Sequence, residues 1–107
     1  MCEGGATGMP EVAAAAAFGL SPARPNPFGS SAELAFTLDR ASRARLDVFD
    51  VTGRRVRTIV DRELTAGRHS FAWNGTDSGG RVVAAGTYFV RLTSEGRSEL
   101  GRLVRLR

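Results

Sequence analysis

The single histidine and the single cysteine are the residues of this 107-residue chain that could act in nucleophilic or acid–base catalysis. His69 alternates with Phe71 and Trp73, which places it at the edge of an apolar strand face, where a histidine more often packs or hydrogen-bonds than acts as a base. Cys2 lies in a glycine- and alanine-rich stretch without a neighbouring base. No serine occupies a G-x-S-x-G elbow. We therefore predict that the chain is not an enzyme.

The loop of residues 74–80 is the segment that could bind a metal, because its side chains supply several oxygen atoms. These come from Asn74, Thr76, Asp77 and Ser78. The loop lacks the D-x-D-x-D-G spacing of calcium sites and holds one carboxylate, so a hairpin loop shaped by Asn, Asp and Gly is favoured. A lone cysteine rules out an intrachain disulfide and disfavours a cysteine-based zinc site. We predict no metal and no cofactor.

Positive charge is spread along the chain and does not gather in one segment. The net charge is +4, and all fifteen basic residues are arginine. Acidic residues stand beside many of them, as in Asp39-Arg40, Arg45 with Asp47, and residues 61–63. Because nucleic-acid binders concentrate basic residues on one face, this interleaving predicts a solvated surface and no nucleic-acid partner.

Six segments alternate apolar and polar residues with the period of two that is typical of β-strands. Short turns rich in Gly, Asp and Asn separate them, and no spacer is long enough for a helical crossover. Val56 and Ile59 depart from the alternation, which predicts a bulge or an edge twist. The chain is therefore predicted to be all-β, an immunoglobulin-like antiparallel β-sandwich of six to seven strands. The segments are residues 33–38, 44–51, 54–60, 68–73, 87–92 and 102–106.

The alternation also predicts which side chains face the core. Leu34, Phe36 and Leu38 share one face of the first segment, and Trp73 ends another segment on its apolar face. Phe89 falls on the outward face of its strand, where it is a candidate for an exposed contact in an adhesive or glycan-binding sandwich.

The sequence changes character near residue 20. Residues 1–19 are small and Gly/Ala-rich and are predicted to form a flexible leader or linker, whereas residues 20–107 carry the strand pattern. No segment approaches the length of a transmembrane helix, and the leader lacks the basic start of a signal peptide. If the protein is exported, we expect either that its signal lies on a longer parent protein or that this chain is itself part of the signal.

Four residues ahead of the first strand, Pro25, Asn26, Pro27 and Phe28, are predicted to form an extended boundary strap. Each proline restricts the residue before it to extended conformations. Prolines lack the N–H group that would extend a neighbouring sheet. We expect Asn26 to hydrogen-bond nearby backbone and Phe28 to plug the end of the core.

The chain also carries an ordered series of distinctive stretches. They are "PNPF" (25–28), "LAFTL" (34–38), "LDVFDVTGRRVRTIV" (46–60), "AGRHSFAWNGTDSGGRVVAAGTYFVRL" (66–92) and "GRLVRLR" (101–107). Together they resemble the immunoglobulin-like module shared by the flagellar hook-capping protein FlgD and by the C-terminal sorting domain of bacterial type IX secretion cargo. The resemblance covers residues 20–107 and implies a non-catalytic role.

In the sorting branch, the resemblance implies a C-terminal secretion, sorting and cell-surface attachment signal, fused to an N-terminal cargo domain and read by a translocon and a sortase-like peptidase. This is the leading hypothesis. The family's G-x-Y motif falls on residues 86–88, and its final basic strand falls on residues 102–107, where arginine replaces the usual lysine. We expect that strand to present a charged outer face. The candidate recognition residues are Gly86, Tyr88, Arg102, Val104, Arg105 and Arg107.

In the hook-capping branch, the resemblance implies a structural module whose partners are flagellar subunits. This is the alternative hypothesis, and an adhesive or glycan-binding sandwich is a further one. The two family branches imply an exported protein, at the cell surface or outside the cell, that meets the outer membrane only indirectly.

Overall fold

Seven strands form in residues 18–106, the part of the chain that the computed structural model describes. They are β1 (Gly19–Leu20), β2 (Ala32–Leu38), β3 (Ser42–Phe49), β4 (Arg55–Leu64), β5 (Gly67–Trp73), β6 (Gly86–Ser94) and β7 (Arg97–Arg105). A three-stranded sheet has the order β1-β2-β5, and a four-stranded sheet has the order β4-β3-β6-β7. All neighbouring strands in both sheets are antiparallel, which confirms the predicted all-β immunoglobulin-like sandwich. Cys2 and Arg107 lie outside the described residues.

The core lies between the two sheets and is built from the alternating apolar residues. Leu34, Phe36 and Leu38 of β2 are buried, as the alternation predicts. A buried leucine or phenylalanine contributes roughly 1.5–3 kcal/mol relative to an exposed one, so these strands are held mainly by their inward faces. The other large buried side chains include Phe28, Leu46, Val48, Trp73, Val90, Leu92 and Leu103. Within residues 18–106 there is no helix that is long and apolar enough to cross a membrane.

Strand β4 carries two extra residues relative to its partner β3. Leu46 pairs with Val60 while the next residue, Asp47, pairs with Thr58, so Ile59 has no counterpart. A second register shift follows between Val48 and Phe49 and leaves Val56 without a counterpart. The predicted bulge is confirmed. Bulges bend and twist an edge strand, which makes it a poorer template for pairing with other chains.

The last two strands are longer than the sequence predicted because the turn between them is very short. Glu95 (φ 52°) and Gly96 (φ 78°) both adopt positive φ, as in the two-residue turn that matches the twist of antiparallel strands. The strands β6 and β7 therefore run to Ser94 and from Arg97. Glutamate is uncommon at positive φ, so a tight turn at this position is hard to predict from the sequence.

Candidate functional site: the strap and the C-terminal strand

The boundary strap runs alongside β7 and covers part of the edge of the four-stranded sheet. The backbone N–H of Phe28 donates to the carbonyl oxygen of Val104 at 2.9 Å, and the N–H of Leu106 donates to the carbonyl of Phe28 at 2.7 Å. Phe28 and Arg105 thereby form an isolated parallel β-bridge. The strap thus satisfies edge groups that β7 would otherwise expose to other chains.

Asn26 continues this edge with its side chain. Its Nδ2 donates to the carbonyl oxygen of Arg102 at 3.0 Å, and its Oδ1 accepts the backbone N–H of Val104 at 2.9 Å. In a parallel ladder, the backbone of the residue two before Phe28 would make these two bonds. The amide of Asn26 therefore takes the place of a peptide group.

Phe28 anchors the strap in an aromatic cluster at the end of the core. Its ring centroid lies 5.5 Å from that of Trp73, and the Trp73 ring meets Tyr88 edge-on at 5.4 Å. The polar groups of Trp73 and Tyr88 have hydrogen-bond partners. Trp73 Nε1 donates to the carbonyl oxygen of Thr76 at 2.8 Å, and the Tyr88 hydroxyl donates to the carbonyl oxygen of Ala84 at 2.6 Å. Because Trp73 is 1% exposed, it cannot stack on a sugar.

The G-x-Y motif meets the strap through β7. Gly86 pairs with Arg105 and Tyr88 pairs with Leu103 in the β6–β7 ladder. Burial raises the pKa of Tyr88 above its ordinary value of 10.0, and the nearby positive charge of Arg105 opposes this shift. The phenol therefore stays neutral at ordinary pH and serves as a hydrogen-bonded anchor.

The arginines of β7 lie on opposite faces. Arg102 and Arg105 are three residues apart, so strand alternation sends them to different sides. Arg102 is exposed beside the partly exposed Val104, whereas the guanidinium carbon of Arg105 lies 6.0 Å from the ring centroid of Phe28. The expectation of a charged outer face is therefore wrong for Arg105, and Arg107 lies outside the described residues.

A cleft of about 290 Å³ opens where the strap separates from β7. Leu20, Pro22 and Asn26 line one side, and Leu100 and Gly101 line the other. A Cβ atom on Gly101 would lie 3.2 Å from Cδ2 of Leu20. Because glycine has no side chain, Leu20 of β1 can pack closely against β7 at this point.

Two turns of identical construction, residues 50–54 and 77–81, line a second cleft of about 530 Å³. In each, the leading aspartate accepts the backbone N–H groups of the second and fourth residues that follow, at 2.9 to 3.1 Å. The third residue after it is a glycine at positive φ, Gly53 (87°) in one and Gly80 (85°) in the other. The sequence indicated a tight turn from Asp50 to Gly53 and a hairpin loop at residues 74–80, but the D-x-x-G-R spacing that the two turns share was missed.

These hydrogen bonds stabilise the ionised carboxylates. The hydroxyl of Thr52 is the main reason that the pKa of Asp50 lies below its ordinary value, and the backbone N–H groups of Arg54 and Thr52 add to it. Backbone N–H groups, that of Arg81 first, lower the pKa of Asp77. Side-chain oxygens of the 74–80 loop thus accept hydrogen bonds from within the loop and its turn. Among residues 18–106, no group of three or more His, Cys, Asp and Glu side chains is placed to hold a metal ion.

His69 has a structural environment. Its Nε2 lies 2.8 Å from the carbonyl oxygen of Thr65, and its ring centroid lies 5.7 Å from that of Phe36. The hydrogen bond to its own hairpin turn and the aromatic contact orient the ring.

Comparison with known proteins points to one family in sequence. The model of the FlgD Ig-like domain matches residues 24–98. The basal-body rod modification protein FlgD of Escherichia coli is 39% identical over 75 residues, which cover 69% of this chain and 30% of that protein. The chain thus spans under a third of the length of this relative.

Two solved structures share the sandwich. FlgD from Xanthomonas campestris is 27% identical, with a TM-score of 0.59 over 81% of this chain and 66% of that one. PorZ from Porphyromonas gingivalis is 23% identical, with a TM-score of 0.56 over 83% of this chain and 12% of that one. At that identity, the likeness to PorZ concerns the fold alone.

Proposed function

The chain belongs to the FlgD Ig-like domain family, and from this premise we propose that it is a non-catalytic structural module of the flagellar hook-capping type, with flagellar subunits as its partners. The observation that carries the proposal is the family match over residues 24–98, together with 39% identity to a basal-body rod modification protein. The FlgD of Xanthomonas campestris is described in connection with hook capping in flagellar assembly. That description concerns assembly, which supports a non-catalytic role.

The strap is consistent with such a role because it fixes how the chain enters the domain. Asn26 and Phe28 attach the entering segment to β7 by hydrogen bonds and to the core by one aromatic ring. A structural module must transmit its orientation to whatever precedes it, and a hydrogen-bonded entry does this better than a free linker.

Deletion in the source organism tests the proposal. The codons for residues 18–107 are removed in frame from the chromosomal gene, and cells are examined by electron microscopy for hooks and filaments. We expect hooks to be lost and to return when the intact gene is supplied in trans. Normal hooks in cells that make the shortened protein would contradict the proposal.

A second candidate is the sorting and attachment module that the sequence first suggested. PorZ, described as a surface component of the type IX secretion system, shares the fold, which favours this candidate weakly. Gly86, Tyr88 and Arg105 are engaged within the domain, so a receptor would meet the outward-facing Arg102 and Val104.

This candidate has its own test. Residues 20–107 are fused to a periplasmic reporter in a host with a type IX system, and surface exposure is compared with that of the Arg102→Glu variant. Sorting predicts that the reporter reaches the surface and that the variant loses this. A reporter that stays in the periplasm excludes the candidate and leaves the hook-cap proposal untouched.

A further inference from the structure

An apolar groove on the outer face of the four-stranded sheet is a surface feature that the proposed function does not use. Phe49, Val51, Phe89 and Leu100 line it, and we call it the outer-face groove. Its volume is about 310 Å³. Phe49 and Phe89 are direct cross-strand neighbours in the β3–β6 ladder, so their side chains are adjacent and form the floor of the groove.

The rim of the groove exposes apolar side chains that a solvated face would not need. Val51, in the turn after β3, is 68% exposed, and Leu100 of β7 is 66% exposed. They are two of the four large hydrophobic side chains that are exposed among residues 18–106. Single exposed hydrophobic residues are ordinary on a protein surface. Val51 and Leu100, however, border an aromatic floor and form with it a contiguous apolar surface of the kind used in protein contacts.

Arg91 supplies the charge at this groove. Its guanidinium carbon lies 4.6 Å from the ring centroid of Phe49, which orients the group over the aromatic floor. Its cross-strand neighbour Asp47 is not free to pair with it, since the hydroxyl of Thr58 donates to Oδ1 at 2.7 Å and Arg45 Nε lies 2.9 Å from Oδ2.

Some arginines of residues 18–106 have acidic partners there, and Arg91 is among those that do not. The ion pairs within residues 18–106 involve Arg40, Arg43, Arg45, Arg54 and Arg97. Asp50, the carboxylate that lines the groove, is occupied by the N–H groups of its own turn and faces Arg54 at 3.8 Å. The groove therefore combines apolar side chains with one oriented cation that lacks an acidic partner in this part of the chain.

We propose that the outer-face groove docks a peptide segment of another protein in which a carboxylate stands beside large apolar side chains. The apolar side chains fill the groove, and the carboxylate pairs with Arg91, where a guanidinium fixed on a ring loses little freedom on binding. A second copy of this chain is a poorer occupant because the net charge of +4 opposes self-association. A lipid surface is also poorer, because it does not fill a concave groove. The inference rests on the groove alone and stands whether or not the chain serves a hook cap.

The test uses the full chain and a random peptide display library. Peptides selected on the immobilised protein are sequenced, and the most enriched one is synthesised and titrated while backbone amide signals are followed by NMR. We expect Asp or Glu next to Leu, Phe or Trp in the selected sequences. The signals of Phe49, Val51, Phe89 and Leu100 should shift most.

Three variants define the site. Arg91→Gln should weaken binding of the peptide about tenfold, the size expected for one charge-assisted contact. Leu100→Asp, a change at an exposed position, should abolish it by repelling the carboxylate. Arg62→Gln is the matched control, because Arg62 also stacks on an aromatic ring, that of Phe71 at 5.8 Å, away from the groove. It should bind as the unaltered chain does.

The proposal is overturned if selection enriches no sequence, if the enriched peptides lack carboxylates, or if they shift signals elsewhere. It is also overturned if Arg62→Gln weakens binding as much as Arg91→Gln. Co-sedimentation with vesicles of phosphatidylcholine and phosphatidylglycerol forms a separate arm. Vesicle binding that depends on Arg91, without peptide binding, would replace the proposal by a membrane contact.

Discussion

Asn26 shows how one exposed side chain can complete a sheet. The residue lies at the surface, yet both ends of its amide are bonded to the backbone of β7, 76 and 78 residues away in sequence. Asparagine suits this position because its carbonyl and amino groups reproduce a peptide's acceptor and donor. Glutamine is the only other side chain that carries an amide group, and it is one methylene longer.

Asn26→Ala should lower the free energy of unfolding by about 1 kcal/mol, the usual net value of such hydrogen bonds. Asn26→Asp tests the donor separately, since a carboxylate can still accept from Val104 but cannot donate to the carbonyl of Arg102. Urea unfolding gives the energies, and hydrogen exchange of the Val104 amide reports the contact. Unaltered exchange in Asn26→Ala would show that the amide bond is not made in solution.

The twin turns give the protein a defined response to acid. The pKa values of Asp50 and Asp77 are lowered in the folded protein from an ordinary value of 3.8. A lowered folded-state pKa stabilises the protein at pH above the unfolded-state value, and that stabilisation is lost as pH falls through the folded-state pKa. Their contribution should therefore be constant above about pH 5, begin to fall at about pH 4, and be lost as the pH passes the folded-state pKa values, which lie below 3.8.

The double variant Asp50→Asn/Asp77→Asn should show a shallower loss of stability on acidification. Asparagine keeps an oxygen that accepts the turn N–H groups, so the turns persist while the titrating charge is removed. Urea midpoints measured from neutral pH down to about pH 2 provide the comparison. Parallel curves for the variant and the unaltered chain would mean that these carboxylates do not govern the acid response.

At the scale of elements, the loop of residues 74–80 and the strand β7 are fitted to each other. Gly75 is buried at φ 77°, and a Cβ atom there would collide with Nε of Arg105. That arginine also lies over the ring of Phe28. The loop and the strap therefore both contact the Arg105 side chain of β7. We expect a change in the loop to alter the packing at the sheet edge that the strap covers.

Gly75→Ala should destabilise the domain more than Gly53→Ala. Both residues have positive φ, which costs about 1–2 kcal/mol for a residue with a Cβ atom, but space is open around Gly53 and closed around Gly75. The additional loss should come with a changed NMR signal of the Arg105 side chain. Equal destabilisation by the two substitutions would mean that Arg105 moves away without cost.

At the scale of the whole molecule, a single sandwich serves proteins of different function. FlgD and PorZ share it with this chain at 27% and 23% identity, so the architecture alone does not separate a hook-cap module from a secretion component. The sorting proposal places the difference on the surface, at Arg102 and Val104. Function therefore has to be tested with surface variants that leave the core intact.

Removal of residues 102–107 should unfold the domain. The deletion takes away Leu103, which is fully buried, and the backbone groups that hold Asn26 and Phe28. Loss of such a core leucine alone costs about 2–5 kcal/mol, a large share of the stability of a small domain. Circular dichroism during heating should show no cooperative transition for the truncated chain and a retained one for Arg102→Glu. A cooperative transition in the truncated chain would show that β7 is dispensable.

The sequence by itself determined the local structure of this protein. Alternation predicted β2 to β7 and many of their inward residues, but not β1. The misfit of Val56 and Ile59 indicated a bulge or an edge twist in β4, because side-chain period and turn chemistry are local properties. It also carried the family resemblance, which the match over residues 24–98 confirms.

Only the tertiary structure decided which distant residues meet. The strap, the G-x-Y motif and β7 form one site because the ladder places residues tens of positions apart side by side, and the register of β3 and β6 sets Phe49 against Phe89. Likewise Arg105 turned inward because the last strand continues the alternation from Leu103. Pairing and register depend on the simultaneous packing of both sheets, which no local pattern encodes.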